Sequence, residues 1–219
     1  MNESEEKASV LLASGGLDST VLAYWLRKNG VHFRPVFIDY GQHCAAAELA
    51  TLKRVLPADI SSRIQCINVG DIYAGSSSRM IAEADLWQDH VEADDLYLPY
   101  RNLLLLSIGS AYAQAHGYGA LYSAFINSNH AKEIDCSAEF FGRLDSLLSE
   151  YGSVRVEMPF REYSKSQVAR LGIKLGVPIG ATYSCQVSSN VPCGVCPNCV
   201  DRLDALEELF AVRWDEIQN

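Results

Sequence analysis

A four-residue apolar run, Val10-Leu11-Leu12-Ala13, stops at Ser14-Gly15-Gly16-Leu17-Asp18-Ser19-Thr20. Val21, Leu22, Trp25 and Leu26 then recur at helical spacing. A buried strand that turns on two glycines straight into a helix is the opening of a βαβ unit. The strand after the helix must then lie parallel to the first, with the helix covering one face of the sheet. The chain continues in that rhythm. Gly30 closes the first helix, residues 33–38 form a second strand ending at Asp39-Tyr40-Gly41, residues 45–56 a helix ended by Pro57, and residues 64–69 a third strand. The expected fold class is α/β, a Rossmann-like parallel sheet.

Residues 71–100 break the rhythm. Ser76-Ser77-Ser78-Arg79 and the stretch from Trp87 to Asp95 have no amphipathic period. They read as an irregular, mobile surface insertion with a short helix around residues 80–86. His90 among Asp89, Glu92, Asp94 and Asp95 has a metal-like composition but reads better as a solvated acidic lid. Alternation then resumes: a helix over residues 101–116, a strand over 120–125, a helix over 135–151, a strand over 154–158, and a helix over 164–175 with Ser164 as N-cap. A last helix spans residues 200–212.

The heptapeptide sits where an anion site forms. Gly15 and Gly16 let the backbone approach a ligand closely, and the helix that follows offers free N–H groups and the positive end of its dipole. Ser14, Ser19 and Thr20 add hydroxyl donors, and Asp18 points to a Mg²⁺ ion or to a group that positions the phosphate indirectly. The blander reading is a glycine turn with a polar helix cap. No Gly-Lys-Ser/Thr follows, so this is not a Walker loop, and the three-glycine dinucleotide pattern is missing.

Lys plus Arg is 18 and Asp plus Glu is 27, a formal charge of −9. A broad electrostatic sleeve for nucleic acid is excluded by that balance. Met1 to Lys7 is polar and acidic, unlike a secretory leader, and no apolar run reaches the roughly 20 residues of a membrane span. A cytoplasmic location is expected. Of seven cysteines, four cluster as Cys185-x₇-Cys193-x₂-Cys196-x₂-Cys199, with Pro192 and Gly194 supplying turns. An odd total without a leader argues against a disulfide scaffold. Four thiolates so spaced suit a closed tetrahedral Zn²⁺ site, with an iron–sulfur cluster as the rival. Its expected role is to staple the C-terminal segment to the sheet edge near the site mouth. Cys44, Cys66 and Cys136 read as small apolar groups.

The heptapeptide is similar to the SGG-x-D-S loop of the N-type ATP pyrophosphatases (PP-loop proteins, of the adenine nucleotide alpha hydrolase-like fold). With Asp39-Tyr40-Gly41-Gln42, Arg101-Asn102, Asp135-Cys136 followed by Glu139-Phe140, Lys165, and the tail Cys185 to Arg202, the chain resembles the 7-cyano-7-deazaguanine synthase (QueC) family. The resemblance covers nearly the whole chain. It implies a PP-loop domain over residues 1–180, interrupted by the insertion at 71–100, and a zinc-binding segment with the terminal helix over 181–219, packed on the same domain. It implies ATP, Mg²⁺ and Zn²⁺, a homodimer, and small-molecule substrates: a deazaguanine carboxylate and ammonia. The carboxylate would be adenylated, converted to an amide, activated again and dehydrated to the nitrile. Leu12 to Thr20 and Asp39 would hold the nucleotide. Asp18, Lys165 and Arg101 would serve catalysis. Tyr40, Gln42, Asn102, Asn127, Asn129 and Asp135 would face the substrate.

The chain departs from the family where members carry a stretch close to E-T-D-F-S-G-Y-P-D-C. It has Asn127-Ser128-Asn129-His130-Ala131-Lys132-Glu133-Ile134-Asp135-Cys136, with Asn127 and Asn129 in place of acids. An asparagine accepts more weakly than a carboxylate and also donates. Alternative readings are a ligase that stops at the amide or joins a deazaguanine to another amine such as a protein terminus, a tRNA-modifying PP-loop enzyme, and a nucleotide-binding module without turnover. Several residues also have plainer roles. Lys165 can be a solvated first-turn lysine, Arg101 the partner of an acidic neighbour, and Asn102 a helix N-cap. Arg202 can pair with the cysteine cluster or reach the nucleotide. Ser123 is a further candidate on its strand.

Overall fold

The structure, a computed structural model, describes residues 8–84, 91–92, 94–126, 136–188 and 191–217. Five short strands, β1 (Ser9–Leu12), β2 (Phe33–Asp39), β3 (Gln65–Asn68), β4 (Ala120–Tyr122) and β5 (Arg155–Glu157), form one sheet in the order β3-β2-β1-β4-β5. Every pairing is parallel, as the strand–helix alternation requires. Val10 of the central strand lies opposite Arg34 on one side and Leu121 on the other.

Alternate residues of the strands feed two cores. Leu11, Phe33 and Phe37 meet α1 (Leu17–Lys28), α2 (Ala45–Val55), α6 (Lys165–Lys174) and α7 (Pro197–Ile217) through Leu22, Leu52, Val168 and Leu209. Val10, Val36 and Ile38 point the other way, onto α4 (Arg101–Ala115) and α5 (Ala138–Tyr151) through Leu106 and Phe141. Gly109 lets α4 close on the sheet, because a Cβ there would lie 2.8 Å from a Leu121 methyl. Pro57 leads into the single helical turn α3 (Ala58–Ser61).

Ser164 caps α6 with a complete capping box, accepting from the Gln167 N–H while the Gln167 side chain takes the Ser164 N–H. Three elements differ from expectation by three residues or more at a boundary. β4 ends at Tyr122, and the chain leaves the sheet after Ser123, whose N–H still donates to Glu157 O at 3.0 Å. α5 starts at Ala138 because Ser137 accepts from the Phe140 N–H, 3.1 Å away. α7 starts at Pro197, a residue type suited to the first helical position, so Cys199 is helical.

The insertion is corrected in substance. Among the described residues it carries 3₁₀ turns at Gly70–Tyr73 and Asp94–Leu96, and residues 80–82 are turn and bend and 83–84 irregular rather than the short helix expected there. Residues 85–90 and 93, which include Asp89 and His90, lie outside the described residues. Nor is the insertion purely a surface element. Met80, Leu96 and Leu98 are buried against Tyr40, Cys44, Tyr183 and the cysteines in a third cluster at the C-terminal end of the sheet.

Candidate active site

Open parallel sheets bind ligands outside the C-terminal ends of their strands, where the connections diverge. Here that place lies between β1 and β4, since the chain passes from β1 to β2 on one side and returns through α4 to β4 on the other. The loop after β1 fills it. Gly15 has φ 78°, and a Cβ on it would sit 2.7 Å from Leu52 N and 2.8 Å from Glu48 O, so the backbone of α2 closes directly on this glycine. Thr20 and Ser19 donate to Gly16 O at 2.7 and 3.3 Å, and Ser14 Oγ accepts from Gly16 N at 3.3 Å. No side chain caps Gly16 at the start of α1. The helix's first N–H groups therefore remain available to an anion.

A cleft of about 260 Å³ opens beside the loop, walled by Ser14, Tyr40, Glu48, Arg101, Asn102 and Ser123. Of the nucleotide-side residues expected from sequence, Leu12, Ala13, Ser14, Gly16, Asp18 and Ser19 line it. Leu17 and Thr20 are buried behind the loop, and Gly15 supplies its turn. Asp39 serves the neighbouring turn, its Oδ1 accepting from Gly41 N at 3.0 Å. Lys165, the first residue of α6, ion-pairs with Asp18 Oδ2. Asp18 Oδ1 is buried with no protein partner, an unspent acceptor that fits a cation carried with phosphate.

On the substrate side, Gln42 is fixed at both ends of its amide. Its Oε1 accepts from Tyr40 N at 2.9 Å, and its Nε2 donates to Glu48 Oε2 at 2.9 Å and Ile38 O at 3.3 Å. Asn102 is not the helix cap expected of it. Tyr100, at φ 59°, holds that position, and Asn102 is buried one turn-step further in, donating to Cys136 Sγ at 2.9 Å. Arg101 Nε lies 3.4 Å from Asn102 Oδ1. Asn127, Asn129 and Asp135 lie outside the described residues.

Sequence reasoning missed Glu48. Burial pushes its carboxyl up to about 7, against the lowering pull of the Gln42 hydrogen bond and the Arg101 guanidinium. The available signal was its place in the first turn of the helix that follows the C-terminal end of β2.

The four clustered cysteines converge, as their spacing predicts. Their Sγ atoms all lie within 4.8 Å of one another, with Cys185–Cys193 at 3.6 Å and Cys193–Cys199 at 4.0 Å. A tetrahedral ion with bonds of about 2.3 Å sets its ligand sulfurs about 3.8 Å apart, so the donor set fits one metal ion. Backbone N–H groups of Ser188 and Cys193 point at Cys185 Sγ (3.3 and 3.5 Å), and that of Cys196 at Cys193 Sγ (3.3 Å). Such donors favour thiolates. The cluster packs on Tyr40, Cys44 and the insertion, over the strand ends rather than on the lateral sheet edge. Cys185 leads directly to Gln186, which lines the cleft and whose carbonyl lies 2.9 Å from His43 Nε2. Arg202 lies within electrostatic reach of both Cys199 and Asp18, whose charges favour its own, while its hydrogen bonds go to the segment before the cysteines. It donates to Thr182 Oγ1 at 2.5 Å and Ile179 O at 2.6 Å, tying α7 to the preceding segment.

The fold and loop together define the class, a PP-loop α/β protein. A solved 4-thiouridine synthetase–RNA complex with bound ATP matches 92% of this chain at TM-score 0.53 and 18% identity, and this chain spans half of that one. A structure described as a predicted subunit of a tRNA methyltransferase from Methanocaldococcus jannaschii matches at TM-score 0.50 and 14% identity over 76% of this chain and 74% of that one. Both likenesses concern the fold. The chain belongs to the QueC family: the family model described as queuosine biosynthesis protein QueC matches residues 8–210. Relatives named 7-cyano-7-deazaguanine synthase include those of Marinobacter nauticus, 31% identical over 90% of each chain, and Haloarcula marismortui, 31% identical over 94% of this chain and 92% of that one. That of Archaeoglobus fulgidus is 32% identical over 90% of this chain and 84% of that one. No helix among the described residues is long and apolar enough to cross a membrane.

Proposed function

We propose that this chain converts 7-carboxy-7-deazaguanine and ammonia to 7-cyano-7-deazaguanine at the expense of ATP. The observation that carries the reading is a cleft that joins the Ser14–Ser19 loop to Arg101, Gln42 and Glu48 in a chain of this family. In the first step a carboxylate oxygen of the substrate attacks the α-phosphorus of ATP and pyrophosphate leaves. The nitrogen lone pair then attacks the acyl carbon, and AMP departs with the electrons of the broken C–O bond. A second activation, of the amide oxygen, allows its loss and leaves the nitrile.

The residues divide this work by place. The loop N–H groups and the hydroxyls of Ser14 and Ser19 hold phosphate oxygens, and Lys165 and Arg101 offset negative charge as it gathers on them. Asp18 is the carboxylate placed to meet Mg²⁺, which would neutralise phosphate charge when bound. Tyr40, Gln42 and Asn102 form the substrate side, joined by Asn127, Asn129 and Asp135, and Asp39 shapes the rim near the nucleotide. Cys185, Cys193, Cys196 and Cys199 would hold Zn²⁺ with all four positions filled by protein, so that it would supply structure and no chemistry. The family resemblance is the ground for a cytoplasmic homodimer, and for a PP-loop domain over residues 1–180 with a zinc segment over 181–219.

The test is release of AMP and pyrophosphate from ATP, Mg²⁺, ammonium and 7-carboxy-7-deazaguanine, with the product identified by mass. The nitrile is expected. An amide that is never dehydrated would limit the activity to the first half, and no AMP release would overturn the reading.

A further inference from the structure

We propose that Glu48 is the proton acceptor for the nitrogen that attacks the activated carboxyl carbon. This rests on the function proposed above. The main chain of Glu48 abuts Gly15, its carbonyl oxygen 2.8 Å from where a Cβ on that glycine would stand. A carboxylate carried at that point of α2 reaches the cleft beside the phosphate loop. The reacting carbon must lie there too, since its oxygen has to meet the α-phosphorus.

Orientation follows from Gln42. With its own amide held by Tyr40 N and Ile38 O, it fixes Glu48 Oε2 through a 2.9 Å hydrogen bond. The groups acting on this carboxyl are Asp39 from β2, Tyr40 and Cys44 from the loop, Arg101 from α4, and Tyr183 from the segment that crosses the loop. Arg101 alone among them is a cation, and burial outweighs it. The group therefore exchanges a proton near neutral pH, where a general base works best.

The step balances without any further reactant. The nitrogen lone pair makes the new C–N bond, the C–O bond to AMP breaks with its electron pair leaving on phosphate, and one N–H proton moves to Glu48. After the carboxyl has returned that proton to solvent, the same carboxylate accepts one of the two remaining N–H protons as the activated amide loses its oxygen with AMP, and the other leaves to solvent. Asp18 is excluded from this role by its ion pair with Lys165.

The experiment separates the half-reactions of purified, metal-replete protein. Exchange of labelled pyrophosphate into ATP, driven by 7-carboxy-7-deazaguanine, needs adenylation but no amine. Amide formation needs both. Glu48→Gln is expected to keep exchange within a fewfold of the parent while amide formation falls about a hundredfold. Glu48→Asp, which keeps the base but shortens it, is expected to fall between them. At a constant concentration of uncharged ammonia, the parent rate should rise with pH to a plateau above about 7, and Glu48→Gln should lose that rise. Unchanged amide formation in Glu48→Gln, or equal loss of exchange and amide in both variants, overturns the assignment. Absence of exchange in the parent instead overturns the proposed function itself.

Discussion

The ammonium of Lys165 pairs with Oδ2 of Asp18, joining the first turn of α6 to the first turn of α1 across 147 residues of sequence, while Oδ1 of the same carboxylate stays buried without a partner. Both side chains keep about a quarter of their surface exposed, 29% and 24%. A pair so open to solvent contributes about 1 kcal/mol or less to stability. Its position beside the loop gives it more weight in binding charge.

Asp18→Asn and Lys165→Met are accordingly expected to keep the fold, with melting temperatures within a few degrees of the parent. Pyrophosphate exchange into ATP should fall about a hundredfold or more, the size associated with removing one charge-stabilising group. Parallel thermal melts and exchange assays check this. A large loss of stability with exchange intact would make the pair a structural latch.

The glycines give a sharper contrast. Gly15 and Gly30 both have positive φ, 78° and 72°, but a Cβ on Gly15 would strike the α2 backbone at 2.7 Å whereas one on Gly30 meets nothing within 4 Å. Gly30→Ala should cost about 1 kcal/mol, the left-handed penalty alone. Gly15→Ala adds a collision with Leu52 N and Glu48 O that no side-chain rotation relieves. It should cost about 2 kcal/mol or more, a fall of about 4–8 °C for a chain of this size, and it should weaken ATP binding. Equal melting shifts for the two variants would contradict the close approach.

How much of this was legible depends on whether the signal is local. The loop at Ser14–Thr20, the cap at Ser164 and the four cysteines each carry their meaning within a few residues, and the structure places all three as their spacing implies. Met80, Leu96 and Leu98 do not. An irregular segment has no period, so nothing in its sequence tells a buried leucine from an exposed one. Glu48 shows the same limit, because a glutamate in a helix reads as solvent-facing until the sheet brings a loop against it. Tyr100 displaced Asn102 from the cap position by taking a left-handed conformation, which is uncommon for a residue with a side chain.

The cysteine cluster should bind one Zn²⁺ per chain, measured by elemental analysis of the purified protein. Cys196→Ser should lose the metal and lower the melting temperature, since Cys185, Cys196 and Cys199 are buried in the cluster that also holds Tyr40, Met80 and Leu98. Cys66→Ser, at an exposed strand position away from it, should leave metal content unchanged. A strong chelator should reproduce the Cys196→Ser melt and reduce activity, because Gln186 and Tyr40 take their places in the cleft from that cluster. Visible absorbance with iron in place of zinc would assign an iron–sulfur centre instead.

Glu48 also sets a direction for stability against pH. Its carboxyl rises from an ordinary value of 4.5 to about 7 in the folded chain, chiefly through burial. Between those two values the folded state holds a proton at this site that the unfolded state has released. Stability therefore falls as pH increases across that window, and the full cost of an ionised, partly desolvated carboxylate is present above about 7. Glu48→Gln removes the titration while keeping the shape and an amide able to pair with Gln42. The difference in melting temperature between variant and parent should then grow in the variant's favour from pH 5 to pH 8. Comparing two chains that differ at one position cancels the contributions of every other acid. A difference that stays flat over this range would mean that the Gln42 hydrogen bond and Arg101 together hold the carboxylate as comfortably as water does, and the proton-accepting role near neutral pH would lose its physical basis.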